Sequence, residues 1–129
     1  MKTVSYETAK QLVEAGLIIE NTEKSWDAYE WRGKTQTTLV TNALTVLRDS
    51  LIPAPTLCEM FVTLPHSIWE SDDEWYTLTM LKTLDMLSIC YNDDENNKRL
   101  NRILIQHENP AEAAALLWLE LAKLGLLSK

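Results

Sequence analysis

Glycine is scarce in this 129-residue chain, and its three copies, Gly16, Gly33 and Gly125, are too scattered to form a loop that cradles phosphate. Nucleotide hydrolysis by a known glycine-rich loop is therefore excluded. The two cysteines, Cys58 and Cys90, lie among apolar neighbours with no C-x-x-C spacing and no adjacent histidine. That pattern predicts buried free thiols rather than a zinc site or a disulfide framework. No apolar run approaches the roughly 20 residues that a membrane helix requires. The first residues are charged throughout and lack the apolar core of a secretory signal, so a cytoplasmic protein is expected. Basic charge is also short, with 12 Lys and Arg against 19 Asp and Glu for a net charge of −7. Such a field repels nucleic-acid backbones and anionic lipid, so neither is expected as a partner. The one basic grouping, Lys98, Arg99 and Arg102, directly follows Asp93, Asp94 and Glu95, which cancel most of its field beyond a Debye length of roughly 8–10 Å.

What is present is an ordinary globular composition, 46% apolar and 24% charged, long enough for one core. A single domain over residues 1–129 is expected. Ser5 is placed to cap a helix ending near residue 15, with Glu7 in its first turn, an apolar stripe of Ala9, Leu12 and Val13, and Gly16 as terminator. From residue 26 to 40 the pattern turns aromatic and β-branched around Arg32-Gly33-Lys34, which predicts a hairpin. Residues 41–49 fit neither period and are assigned to a short helix capped by Asn42. Pro53-Ala54-Pro55 reads as a rigid connector. Thr56 and Glu59 form a capping box opening a helix over 57–64, stopped by Pro65. Runs 67–70, 75–81, 84–91 and 99–106 have strand composition and suggest an antiparallel meander. The last helix, over 110–124, has Asn109 as cap, Pro110 at the first position, Glu112 three residues after the cap and Gly125 beyond its end. Its contribution to the core is expected from Ala113, Leu116, Leu117, Leu119, Leu121 and Leu124. The fold class that follows is α+β: two layers, a mainly antiparallel sheet of N-terminal hairpin and later meander, packed against a C-terminal helix and two shorter ones.

Three segments, Ser5-Tyr6-Glu7-Thr8-Ala9-Lys10, Ile52-Pro53-Ala54-Pro55-Thr56-Leu57 and Glu108-Asn109-Pro110-Ala111-Glu112-Ala113-Ala114, bracket most of the chain. Together they resemble small proteins carried by phages, prophages and mobile elements of gut bacteria, a group with no assigned activity. The resemblance implies a genomic context and carries over no catalytic or binding residue. Each segment is also a helix start in its own right.

Chemistry-bearing constellations are few. His66 and His107 both fall at element boundaries, and no nucleophile-elbow or cysteine-protease pattern surrounds them. The acidic runs Glu70, Asp72, Asp73, Glu74 and Asp93, Asp94, Glu95 are expected to be solvated turns. A calcium loop begun at Asn92 fails at Asn97, where glycine is needed, and at Ile103, where glutamate is needed. No catalytic residue, cofactor or metal site is therefore assigned. The tryptophans at 26, 31, 69, 75 and 118 are numerous for this length, and most are expected in the core. Strand alternation sends Tyr29 and Trp31 to one face, so they are buried together or available together. If available, Trp26, Asp27, Tyr29, Glu30 and Trp31 form a candidate protein-binding surface, with aromatic anchors and an acidic rim suited to a basic partner. The function that follows is non-enzymatic protein binding by an accessory protein of phage or mobile-element type. The alternatives are a small hydrolase or modifying enzyme with a His or carboxylate site, and a virion-associated structural protein.

Overall fold

A computed structural model describes residues 2–17, 22–41, 51–71, 74–93, 95–100 and 103–127. The helix expected over 41–49 falls almost wholly outside them. All three helix starts obey local chemistry. In α1 (Tyr6–Glu14) the Ser5 hydroxyl accepts from the Thr8 N–H at 3.3 Å. Gly16, at φ +95°, turns the chain so that its own N–H and that of Leu17 reach the carbonyls of Val13 and Leu12 at 3.0 Å. In α2 (Leu57–Thr63) Thr56 and Glu59 exchange both capping-box bonds, at 3.3 and 2.8 Å. In α3 (Pro110–Lys123) the Asn109 side chain accepts from the Ala111 N–H at 3.0 Å, with Pro110 in the first turn where no N–H is needed.

The strands are β1 (Lys24–Trp31), β2 (Lys34–Thr41), β3 (Leu51–Pro53), β4 (Ser67–Ser71), β5 (Glu74–Lys82), β6 (Leu87–Asp93), β7 (Lys98–Arg99) and β8 (Ile105–His107). The α+β class holds, and the strands divide into two antiparallel sheets. One has the order β2-β1-β3; the other runs β4-β5-β6-β7, with β8 also paired to β6. The proline connector begins inside the first sheet, because Pro53 ends β3 opposite Ser25. A proline is tolerated there because the pair is not one that exchanges hydrogen bonds: the ladder bond next to it runs from the Ala54 N–H to the Lys24 carbonyl, 3.0 Å.

Two expected strands are corrected. The run 84–91 begins only at Leu87, since the Thr83 N–H and hydroxyl both close onto the Met86 carbonyl and leave Leu84 99% exposed at the turn. The run 99–106 is interrupted. β7 pairs with the end of β6 and β8 with its beginning, and the register along β6 shifts by three residues between them. That excursion drops Leu100 into the core, where it is buried.

The second sheet directs Ile68, Tyr76, Ile89 and Tyr91 to its inner face, by the alternation that the register imposes. α3 lies against β6 and β8 and also touches α1 and α2. Its buried residues, Ala111, Glu112, Ala113, Ala114, Ala115, Leu117, Trp118 and Leu121, extend around much of the helix. The four alanines let neighbouring elements approach closely on several sides, as a central helix requires. Leu124, expected in this core, is exposed beyond the last turn, and Val13 of α1 is also outside.

The segment before α1 is held to three elements at once. The Val4 N–H donates to the Pro55 carbonyl at 3.0 Å, the Trp26 indole N–H donates to the Val4 carbonyl at 2.9 Å, and the Asn109 amide donates to the Thr3 carbonyl at 2.9 Å. Glu112 completes the clamp. Its carboxylate is buried and accepts from the Ser5 N–H and from the Thr8 hydroxyl, the latter at 2.7 Å. Glu112 thus serves the start of α1, while its own cap Asn109 receives no bond from it and instead donates its N–H to His107 Nδ1 at 2.9 Å. The carboxylate sits in the first turn of α3 and against the first turn of α1, where both helix dipoles favour an anion.

Two measurements test this packing. Leu117→Ala removes a fully buried side chain and is expected to cost roughly 2–5 kcal/mol in urea denaturation. Glu112→Ala takes the acceptor away from both the Ser5 N–H and the Thr8 hydroxyl and is expected to cost about 1–3 kcal/mol, with Glu112→Gln recovering part of the loss because one amide oxygen still accepts. An unchanged midpoint for Glu112→Ala would show that the clamp is not structural.

Candidate functional site

The hairpin of β1 and β2 is set by its turn. Arg32 and Gly33 have φ of +53° and +77°, the pair of left-handed residues that makes a two-residue type I′ connection matched to strand twist. The register then runs without a bulge from Trp31↔Lys34 to Lys24↔Thr41. Arg32 is a costly residue in a left-handed position. Its guanidinium lies 5.6 Å from the Trp31 ring centroid, a cation–π contact worth about 0.5–1 kcal/mol that offsets part of that cost.

Alternation divides the five candidate residues between two faces. Asp27, Tyr29 and Trp31 share one face with their cross-strand partners Thr38, Gln36 and Lys34. Trp26 and Glu30 share the other with Leu39 and Thr35. Trp26 anchors the root of the hairpin: its indole donates to Val4 and its ring meets Tyr6 edge-on at 6.4 Å, beside the core. Tyr29 and Trp31 are available together, at 48% and 59% exposure. Every residue from Tyr29 to Leu39 is exposed, so the tip stands clear of the body on both faces. Trp31 is flanked by Arg32 and Lys34, and only Asp27 of the two expected rim acids lies on the aromatic face. The surroundings of the anchor are therefore cationic at the tip and acidic only towards the root.

A second aromatic pair escaped the sequence reading, which placed most tryptophans in the core. Trp69 and Trp75 are cross-strand partners on β4 and β5, with centroids 5.1 Å apart and planes tilted by 33°, and both are exposed. Phe61 and Val62 of α2 are exposed as well. The signal that could have found the pair is its position: two tryptophans on either side of an acidic run can meet across a hairpin when the register sets them opposite, as it does here.

Each histidine meets one close neighbour in the chain. His66 Nδ1 is 2.9 Å from the hydroxyl of its neighbour Ser67 at the exposed start of β4. His107 accepts the Asn109 N–H at Nδ1, and with Asp85 and Glu108 it lines a shallow depression of about 340 Å³. Next to it, a groove of about 480 Å³ shares Asp85, Met86 and Glu108 and contains Cys58. Among the described residues, none of Cys58, Asp85, His107 and Glu108 hydrogen-bonds another, and no group of three His, Cys, Asp or Glu is arranged to hold a metal ion. In the acidic runs, Glu74 lies 3.9 Å from Lys98. The Asn96 side chain, donating to Asp93 at 2.7 Å, holds that carboxyl below the usual carboxylate range. Tyr91 is the opposite case, its phenol pushed up by burial. Among the described residues no helix is long and apolar enough to cross a membrane.

Compared with known protein families, curated proteins and solved structures, the chain matches none.

One cysteine expectation is corrected here. Cys58 is exposed, because the second position of α2 points away from the core that Met60 enters, whereas Cys90 is buried on β6. Thiol titration of the native protein with a bulky aromatic disulfide reagent is expected to label Cys58 at once and Cys90 only after denaturation. Simultaneous labelling of both would show that β6 is not shielded.

Proposed function

We propose that this chain is a non-enzymatic, cytoplasmic accessory protein of phage or mobile-element type that binds a protein partner through the tip of the β1–β2 hairpin. The observation that carries the reading is the joint exposure of Tyr29 and Trp31 on one face of a ribbon whose root is fixed by Trp26. Tryptophan and tyrosine offer large, stiff contact area at small entropic cost, and they dominate binding energy when a partner desolvates them. Anchoring the root limits the motion lost on binding. Arg32 and Lys34 beside Trp31 favour a partner pocket edged by carboxylates, in place of the basic partner that an acidic rim would select. The net charge of −7 argues for protein over nucleic acid as the ligand.

The test is capture from a host lysate with tagged wild-type protein and with Trp31→Ala. The variant is expected to lose no more stability than the roughly 0.5–1 kcal/mol of the Arg32 contact, since Trp31 is exposed, and to weaken binding of the retained partner by roughly 30-fold, the effect of losing about 2 kcal/mol at a hot spot. Equal capture by both proteins, or submicromolar binding of DNA or RNA at physiological salt, would overturn the proposal.

A further inference from the structure

We infer that the outer edge of β2 pairs with the same edge of a second copy of this chain, antiparallel and about a twofold axis through Thr37. This does not rest on the aromatic reading above; it concerns the backbone edge of the same hairpin.

The parity of the ladder comes first. The Lys24 carbonyl accepts from Ala54, so Lys24 directs its backbone groups towards β3, and the odd-numbered residues of β1 direct theirs towards β2. The type I′ turn agrees, because the residues flanking it, Trp31 and Lys34, must be a hydrogen-bonded pair. It follows that Lys34, Gln36 and Thr38 bond inward to β1, while Thr35, Thr37 and Leu39 direct N–H and C=O outward. Among the described residues no strand pairs with that edge, and these three residues have no further hydrogen bond. All three are exposed.

Among the described residues, the edge strands β2 and β4 differ in how they are protected. β4 is short, carries a bulge between Trp69 and Ser71, and runs into the acids Glu70, Asp72, Asp73 and Glu74. Those are the usual devices against edge pairing. In β2 the one charge is Lys34 at the start: from Thr35 to Leu39 there is no charge, proline or bulge, and threonine predominates. It also lies in the longest acid-free stretch of the chain, residues 31–48. A protein of net charge −7 can approach its own copy most closely where it carries no carboxylate.

The register is then fixed by the open span. Centring on Thr37 pairs Thr37 with Thr37, and Thr35 with Leu39 on both sides, so that every outward group from Thr35 to Leu39 is used. A shift either way would recruit Thr41 or the turn glycine. Lys34 falls opposite Val40 and Gln36 opposite Thr38, so no like charges meet. A twofold axis perpendicular to the sheet keeps faces together. Tyr29 and Trp31 of both copies therefore lie on one face of a continuous sheet, with the two β1 strands about 14 Å apart.

Sedimentation velocity over a wide concentration range tests the pairing. The expected result is a reversible rise to twice the chain mass of 14.8 kDa. Thr37→Pro removes an N–H that the monomer does not use, and Thr37→Lys places two ammonium groups face to face; both are expected to sediment as single chains with unchanged circular dichroism. Should Thr37→Pro fail to fold, Thr37→Lys alone decides the matter. In a Cys58→Ala background, Thr37→Cys is expected to form a covalent dimer on mild oxidation, and Gln36→Cys is not. A single-chain mass at every concentration overturns the inference, as does a dimer that survives both Thr37 variants or a mass that grows beyond two. Capture of a partner that is lost in Thr37→Lys while the wild type sediments as a single chain would assign the edge to a strand of a different protein and overturn it too. Loss of capture in Trp31→Ala with the dimer intact bears only on the aromatic face.

Discussion

The carboxylate of Glu112 is the interaction on which the assembly of the layers depends. Burying it is costly unless its oxygens are satisfied, and the Ser5 N–H and Thr8 hydroxyl satisfy them. Meeting that requirement fixes α1 against the first turn of α3. Asn109 fixes Thr3 to the same turn, and Val4 then joins the connector at Pro55 and the indole of Trp26. The hairpin is thereby attached to the body by the same short segment that positions the helices. A small error in the placement of Glu112 would be felt at the root of β1.

Root and tip of the hairpin have opposite chemistry for that reason. Trp26 spends its polar group on the backbone of Val4 and its ring on Tyr6, and it contributes rigidity. Tyr29 and Trp31 lie beyond the last core contact. The ribbon there is held by its own ladder and by the turn, in which Arg32 accepts an unfavourable conformation and covers the Trp31 ring. Alternation, together with the length of the strands relative to the body, decides which aromatics are structural and which are open.

Features encoded within one turn of the chain were legible in the sequence. Ser5, Thr56 and Asn109 begin helices because their side chains satisfy N–H groups two or three residues away, and Arg32-Gly33 marks the hairpin by conformation alone. Features set by distant partners were not. Nothing near Leu51 announces that three residues will pair with β1, so the division into two sheets stayed hidden. Glu112 reads locally as half of a capping box, and its actual donors lie more than a hundred residues away. The run 99–106 has strand composition throughout, but the loop that buries Leu100 follows from the shape of the core. The joint placement of Tyr29 and Trp31 was readable from period two; their exposure depended on how far the body extends.

The separation between Glu112 and its donors, 104 and 107 residues, gives the molecule a direction in time. During synthesis the hairpin can close as soon as residue 41 emerges, since its pairings are local, and elements of that kind form within microseconds. α1 has no such independence, because the acceptor that fixes its first turn is made more than a hundred residues later. Contacts of this range slow folding through the entropy of closing long loops. The aromatic ribbon can therefore sample its pairing in the nascent chain before the body that steadies it is made. Of the side chains along it, Trp26 is the one whose partners, Val4 and Tyr6, are already present in that interval.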